Sequence, residues 1–243
     1  MLLSDQHGHD DCAERLRQRY AGHENIRVLA NDTGGDWVAN INVLIKACET
    51  EFFRILPHDD MSGLEDLAAL HQALLDTPDA VLSFGPVHAE TLEGEPLPAR
   101  NELNLDEAER NGEPWDRLEG ARLFSTGRFS GAFKGLVRAA AVRRHRLWIE
   151  RTDRLIHSER AWLAGLAFVG RFTYAPRGGL RKRYHPDSTH AQWNVEAADF
   201  VSTTRVMINY ANRLLENETD RFAAEQELTG HLTRRLAALS ANA

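Results

Sequence analysis

Cysteine is nearly missing from this chain. Cys12 and Cys48 are the whole supply in 243 residues, too few for a disulfide framework and too isolated for a zinc knuckle. Basic excess is missing as well: 29 Lys and Arg stand against 36 Asp and Glu, a net charge of −7. A chain so balanced carries no electrostatic footprint for nucleic acid. No apolar run approaches the ~18 residues of a membrane span, and the mean hydropathy is −0.45. Met1-Leu2-Leu3 runs straight into Ser4-Asp5-Gln6, which is not the pattern of a secretory leader. Internal repeats and low-complexity tracts are absent too. These absences leave a reduced, cytoplasmic protein of one large domain or one and a half, long enough to bury a core.

What is present is alternation. Over the first ~85 residues short β-rich runs exchange with helical spacing. Met1–Ser4 reads as a strand tail, and Asp10 or Asp11 opens a helix through about Tyr20. Ile26–Ala30 is a second strand, closed by the turn Asn31-Asp32-Thr33-Gly34-Gly35. Trp37, Ile41, Leu44, Ile45 and Cys48 recur at helical spacing, Phe52–Leu56 is a strand, Leu64–Leu75 an amphipathic helix, and Ala80–Phe84 a strand. Such alternation predicts a mostly parallel sheet covered by helices. Residues 86–120 read as a long polar excursion, and segments of that kind are often lids. From Asn194 the chain reads as helix to its end.

Two places carry acids where chemistry would use them. Phe52-Phe53-Arg54-Ile55-Leu56-Pro57-His58-Asp59-Asp60-Met61 is an apolar strand that ends in a proline and two adjacent carboxylates. Ser62-Gly63-Leu64-Glu65 then reads as a capping box that starts a helix. Acids at the carboxyl end of a buried strand lie where open α/β sheets bind ligands, and paired carboxylates suit a hard divalent cation. The plainer reading is a turn whose acids favour the next helix N-terminus. The second place is the expected helix from about Arg154 to Val169. Leu155, Trp162, Leu163 and Leu166 form an apolar stripe with Glu159 in its middle, while Asp153 reads as a cap. An acid centred on such a stripe is costly unless paired or used, and burial that raises its pKa suits a general base. An ion pair with a nearby arginine is the structural alternative.

Taken in order, these segments resemble the family 2 glycosyltransferases and their nucleotide-sugar-binding GT-A fold. Leu3-Ser4-Asp5-Gln6-His7-Gly8-His9-Asp10 is similar to the family's V-S-D-D-G-S-T-D segment. Asn31 to Gly35, with Asn40 and Asn42 beyond, resembles its Asn/Gly turn and following helix. Glu51 to Met61 is similar to the G-E-Y-F-x-x-L-x-x-D-D-L stretch, and His157-Ser158-Glu159 to the Glu-Asp motif on the acceptor side. Gly170-Arg171-Phe172-Thr173-Tyr174-Ala175-Pro176 and Arg183-Tyr184-His185-Pro186 resemble the closing G-R-F-x-Y-V-P-E and Y-R-x-H segments. The likeness covers roughly residues 1–190, a GT-A-like domain, and leaves 191–243 as a helical extension.

The resemblance implies an inverting, metal-dependent glycosyltransferase with a nucleotide-diphospho-sugar donor and a hydroxyl acceptor. By that likeness Asp5 faces the nucleobase, and Asp59, Asp60 and Arg183 bind the donor. Asp60 and His185 ligate Mn²⁺ or Mg²⁺, Glu159 deprotonates the acceptor, and the setting is the cytoplasm, including the cytoplasmic membrane face. Arg181 and Lys182 add positive charge beside Arg183. The chain departs from the pattern at Gln6, at Pro57 and at Ser158, where the family carries acids, and it holds no counterpart of the family's first strand, P-x-Y-N. Loss of that strand predicts an exposed apolar edge. These departures motivate a second reading, a non-catalytic GT-A-like binding protein. A remote third is a metallo-hydrolase, because His7-Gly8-His9-Asp10-Asp11-Cys12 approaches an H-x-H-x-D-H zinc motif.

Overall fold

The computed structural model describes residues 1–5, 11–29, 35–100, 130–186, 188 and 192–241. Strands β1 (Leu2–Ser4) and β2 (Arg27–Leu29) form a parallel pair. A four-stranded sheet follows the order β3 (Phe52–Arg54), β6 (Leu136–Arg138), β4 (Ala80–Phe84) and β7 (Arg171–Tyr174). A third sheet pairs β5 (Val87–Thr91) with β8 (Leu180–Tyr184) in parallel. Three of the five ladders among the described residues are parallel, and β6 runs antiparallel to both of its neighbours. The parallel part is therefore small, and the architecture is α/β as the alternation predicts. β1 and β2 pair only with each other among the described residues. Leu2 and Leu3 are nevertheless half-buried, so the expected bare apolar edge is not seen there.

Seven α-helices cover these strands among the described residues: α1 (Cys12–Arg19), α2 (Trp37–Ala47), α3 (Leu64–Asp76), α4 (Ala139–His145), α5 (Ser158–Val169), α6 (Ala197–Leu214) and α7 (Glu218–Ala241). Every residue of β4 is buried, as expected of a strand covered on both faces. The core then runs from Phe84 and Leu82 through Trp162 and Phe168 of α5 to Met207 and Tyr210 of α6 and Leu228 of α7. The two last helices thus share the core of the sheet rather than building their own. The single helix expected beyond Asn194 is interrupted between Leu214 and Glu218. Among the described residues no helix is long and apolar enough to cross a membrane.

Five local expectations need correction. α5 starts at Ser158, not near Arg154, because Leu155 (φ 63°) and His157 (φ 64°) adopt left-handed backbone that no helix can absorb. Leu155 packs on the core from that preceding turn. Asp153 caps nothing there; its carboxylate pairs with Arg205 at 2.5 Å. α5 is also buried nearly all round, from Ser158 and Glu159 to Phe168, rather than along one stripe, which is the signature of a core helix. The helix-start box moves by one residue: the Gly63 N–H donates to the Asp66 carboxylate at 2.6 Å. Ser62 is otherwise engaged, its hydroxyl accepting from Arg54 at 2.5 Å. Finally, the excursion begins with structure, since 87–91 is β5 and Leu97 N–H folds back to donate to the Ala89 carbonyl at 2.8 Å. The rest of the expected excursion, 101–120, lies outside the described residues.

One glycine fixes how the sheet meets the segment that matters most below. Gly135 separates a 3₁₀ turn (Ser130–Lys134) from β6, and a Cβ there would lie 2.3 Å from the Ser83 carbonyl oxygen of β4. Backbone oxygen in a paired strand has nowhere to retreat. Gly135→Ala is expected to cost about 1–3 kcal/mol, the usual price of overpacking, and to lower the urea midpoint without changing the slope; an unchanged midpoint would refute the close approach.

Candidate functional site

The paired acids are held by a short chain of backbone bonds. After β3 the chain turns through Pro57, whose carbonyl accepts from the Asp60 N–H at 3.3 Å. Met61 and Arg181 then exchange both backbone hydrogen bonds at 2.9 Å, clamping the acid turn against β8. Four residues further along β8, His185 arrives beside the turn: its Nε2 is 3.2 Å from Asp59 Oδ2, across 126 residues of sequence. Asp59 and His185, both named from the sequence though not as a pair, are thus together in space.

Asp60 has a different partner. Its side chain is 1% exposed and is bonded to the Lys134 ammonium, itself 14% exposed. Lys134 ends the 3₁₀ turn, and its backbone carbonyl accepts from Arg54 Nε at 2.6 Å, so β3 and the lysine are tied twice. Burial draws the Lys134 pKa below the ordinary lysine value; the charge of Asp60 opposes that, and Lys182 adds to it. Burial likewise lowers Arg54, against the pull of Asp66 and Asp60. Lys134 thus feels Asp60, Asp59 and the opposing charge of Lys182, and Arg54 feels Asp66 and Asp60.

Sequence reasoning missed Lys134 and Arg54 as members of this group. Lys134 lies 74 residues from Asp60, and long-range pairing leaves no local pattern. The one usable signal was a lone lysine between glycines and apolar residues, Gly131-Ala132-Phe133-Lys134-Gly135.

The other expected residues fall as follows. Arg183 on β8 stands opposite Glu90 on β5 and pairs with it, Nε to Oε1, at 3.1 Å. Its neighbour Lys182 is the β8 cation that Lys134 feels. Asp5 is half-buried just past β1, whose end is tied to α2 by Ser4 Oγ–Asn40 Oδ1 at 2.5 Å. Glu159, second residue of α5, is 5% exposed, with Arg160 Nε 4.0 Å from its carboxylate. Its helix reaches the acid turn indirectly. Trp162, 0% exposed, sets its ring edge against Phe133, centroids 5.7 Å apart, and Phe133 adjoins Lys134. Gln6, His7, His9 and Asp10 lie outside the described residues, as do Asn31 to Gly34. Asp11 and Cys12 open α1.

Oxygen and nitrogen donors such as Asp59 and His185 suit Mn²⁺, and the carboxylates suit Mg²⁺. As they stand, no three His, Cys, Asp or Glu among the described residues are grouped to hold a metal. Asp59 and His185 supply two donors of the kind a divalent cation takes, while Asp60 is bonded to Lys134 instead.

The architecture is α/β, with helices over one small mixed sheet and two parallel strand pairs, a fold shared with solved structures of one protein. The chain is similar to the solved structure of residues 1–349 of S. aureus TarS in complex with UDP-GlcNAc, with a TM-score of 0.67 and 14% identity over 95% of this chain and 62% of that one. It is also similar to TarS 1–349 on its own (TM-score 0.60, 13% identity, 95% and 61% covered). Against the longer TarS structure the TM-score is 0.61 with 15% identity, 96% and 37% covered. The chain thus spans less than two thirds of these proteins, and at such identity the likeness shows the fold alone. No protein family and no curated protein matches the chain by sequence.

Proposed function

We propose that this chain is an inverting glycosyltransferase, of the family 2 kind, that moves a sugar from a nucleotide-diphosphate donor to a hydroxyl acceptor in the cytoplasm. The observation that carries the reading is the acid turn clamped to β8, with Asp59 against His185 and Asp60 against Lys134, at the carboxyl end of β3. Strand ends of α/β sheets are where nucleotides bind. The fold's likeness to a protein solved with UDP-GlcNAc supports the same reading and makes that donor the first to try.

The roles follow from charge. Lys134, Lys182 and Arg54 offset the donor diphosphate, while Asp5 would face the base and Arg183, through its pair with Glu90, would brace the strand beneath the donor. A divalent cation on Asp59, Asp60 and His185 would supply further neutralisation of the leaving diphosphate. Glu159 takes the acceptor hydroxyl proton. The freed oxygen attacks the anomeric carbon from the side opposite the diphosphate, the sugar–phosphate bond breaks, and the electron pair leaves on the nucleoside diphosphate. Configuration inverts as a result.

Asp60→Asn tests the reading, because an amide oxygen still accepts from Lys134 while the charge is lost. Calorimetric titration with UDP-GlcNAc, UDP and GDP in Mn²⁺ is expected to show binding in the wild type. The variant should bind tenfold or more weaker, about the effect of one unit charge at close range. A folded wild type that binds none of them, with or without Mn²⁺, sinks the proposal.

A further inference from the structure

The chain that leads into Glu159 is irregular and held largely by side chains. Residues 147–152 belong to no helix or strand. Trp162 of α5 donates to the Leu147 carbonyl, and Asn42 of α2 makes both backbone bonds of Ile149 at 2.9 Å. The Tyr210 hydroxyl of α6 donates to the Trp148 carbonyl at 2.7 Å and accepts from the Glu150 N–H at 3.0 Å. Asp153 N–H donates to Ser202 Oγ at 2.8 Å. The last link lies next to Glu159. Thr152 N–H donates to Ser158 Oγ at 3.1 Å, the two hydroxyls are 3.0 Å apart, and Thr152 Oγ1 donates to the Ile156 carbonyl at 2.8 Å. A hydroxyl has one proton to give, so Ser158 is the donor between the two hydroxyls. An ionised acid at 158, where the family pattern carries one, has no proton for that bond.

We infer that Ser158 and Thr152 are positioning residues for Glu159: their hydroxyls lock the strained turn 152–158 and so fix where the next residue holds its carboxylate. The inference rests on Glu159 as the base of the proposed function. Leu155 (φ 63°) and His157 (φ 64°) carry the strain, and such backbone persists only where its surroundings over-determine it. The hydroxyl pair does this from both sides, with Thr152 before the two residues, Ser158 after them and the Ile156 carbonyl between. The backbone closes the same turn, through Leu155 N–H to the Thr152 carbonyl at 3.1 Å and Ser158 N–H to the Leu155 carbonyl at 3.4 Å. Ser158 and Thr152 are buried, as is Glu159. A carboxylate so enclosed has little room to correct its aim, and a misplacement of about 1 Å can cost ~10²-fold in rate.

Release of UDP from UDP-GlcNAc, with water as the acceptor, reads this role in the full chain. Ser158→Ala and Thr152→Val are each expected to lower kcat by about tenfold to 10²-fold with KM for UDP-GlcNAc unchanged. Thr152→Ser keeps both bonds and should stay near the wild type. The double variant should be no slower than the slower single one, because the two hydroxyls act as a unit. Ser158→Ala placed on Glu159→Gln should slow release no further, since the group to be positioned is gone. A further tenfold loss on that background overturns the inference, and so does wild-type kcat in Ser158→Ala. Should Ser158→Ala fail to fold, Thr152→Val carries the same comparison. Release by Glu159→Gln at the wild-type rate overturns the base role and the inference together. A wild type that binds UDP-GlcNAc yet releases no UDP overturns the inference and leaves donor binding standing.

Discussion

Glu159→Gln is expected to bind the nucleotide-diphosphate donor as the wild type does and to transfer sugar about 10²–10⁴-fold more slowly, the usual worth of a general base. The exchange is isosteric, which matters for a side chain 5% exposed among core residues. The proposed donor group, Asp59, Asp60, Lys134 and His185, stands on the β3 turn, the 3₁₀ turn and the residue just past β8, none of which Glu159 belongs to. Its loss should therefore leave the dissociation constant for UDP untouched. The competing structural reading, an ion pair with Arg160 at 4.0 Å, predicts the reverse: a lower melting temperature and normal transfer. Radiolabelled sugar transfer and thermal melting of the same two proteins separate these outcomes, and wild-type transfer by the variant removes Glu159 from catalysis.

The distribution of what was legible follows the range of the interactions. The strand–turn–helix around Asp59 and Asp60 is encoded locally, by an apolar run, Pro57 and an acid near the start of α3, and all of these lie within fifteen residues of one another. Local signals of this kind survive in any tertiary context. The start of α5 was misread because Leu155 fits a helical spacing, yet spacing says nothing of the left-handed backbone at Leu155 and His157. β5 escaped notice although Val87, His88, Ala89 and Glu90 alternate as a strand does. The reason is that the run is short and sits in a stretch rich in acids and prolines; Glu90 meets Arg183 across the ladder. β6, at three residues, is too short to show any period.

The candidate site divides in the same way. Asp59 and Asp60 are visible as a pair, and Glu159 as an acid in an apolar helix. What no pattern shows is that Asp60 is held by Lys134 or that Asp59 faces His185. The Asp59–His185 contact follows from the Met61–Arg181 bridge, which joins two segments 120 residues apart, and the Asp60–Lys134 contact from the pairing of β3 with β6. A pairing made by register is invisible until the register is known.

Register alone would not hold the two acid regions in a fixed relation; Trp162 supplies that link, and its removal is the largest stability effect expected here. The indole is 0% exposed, its Nε1–H donates to the Leu147 carbonyl at 2.8 Å, and its ring meets Phe133 one residue before Lys134. Trp162→Ala should cost about 3–5 kcal/mol through the cavity, and a buried carbonyl left without its donor adds ~1–3 kcal/mol. Against total stabilities of about 5–15 kcal/mol that approaches unfolding at ambient temperature. Trp162→Phe keeps an aromatic edge against Phe133 and loses only the indole donor and part of the volume, so it should remain folded with a smaller loss. Its UDP affinity should stay near that of the wild type, since the 3₁₀ turn keeps its support. Urea unfolding of the three proteins, with UDP titration of those that fold, checks both statements. A Trp162→Ala protein as stable as the wild type would show that α5 does not anchor the turn that carries Lys134.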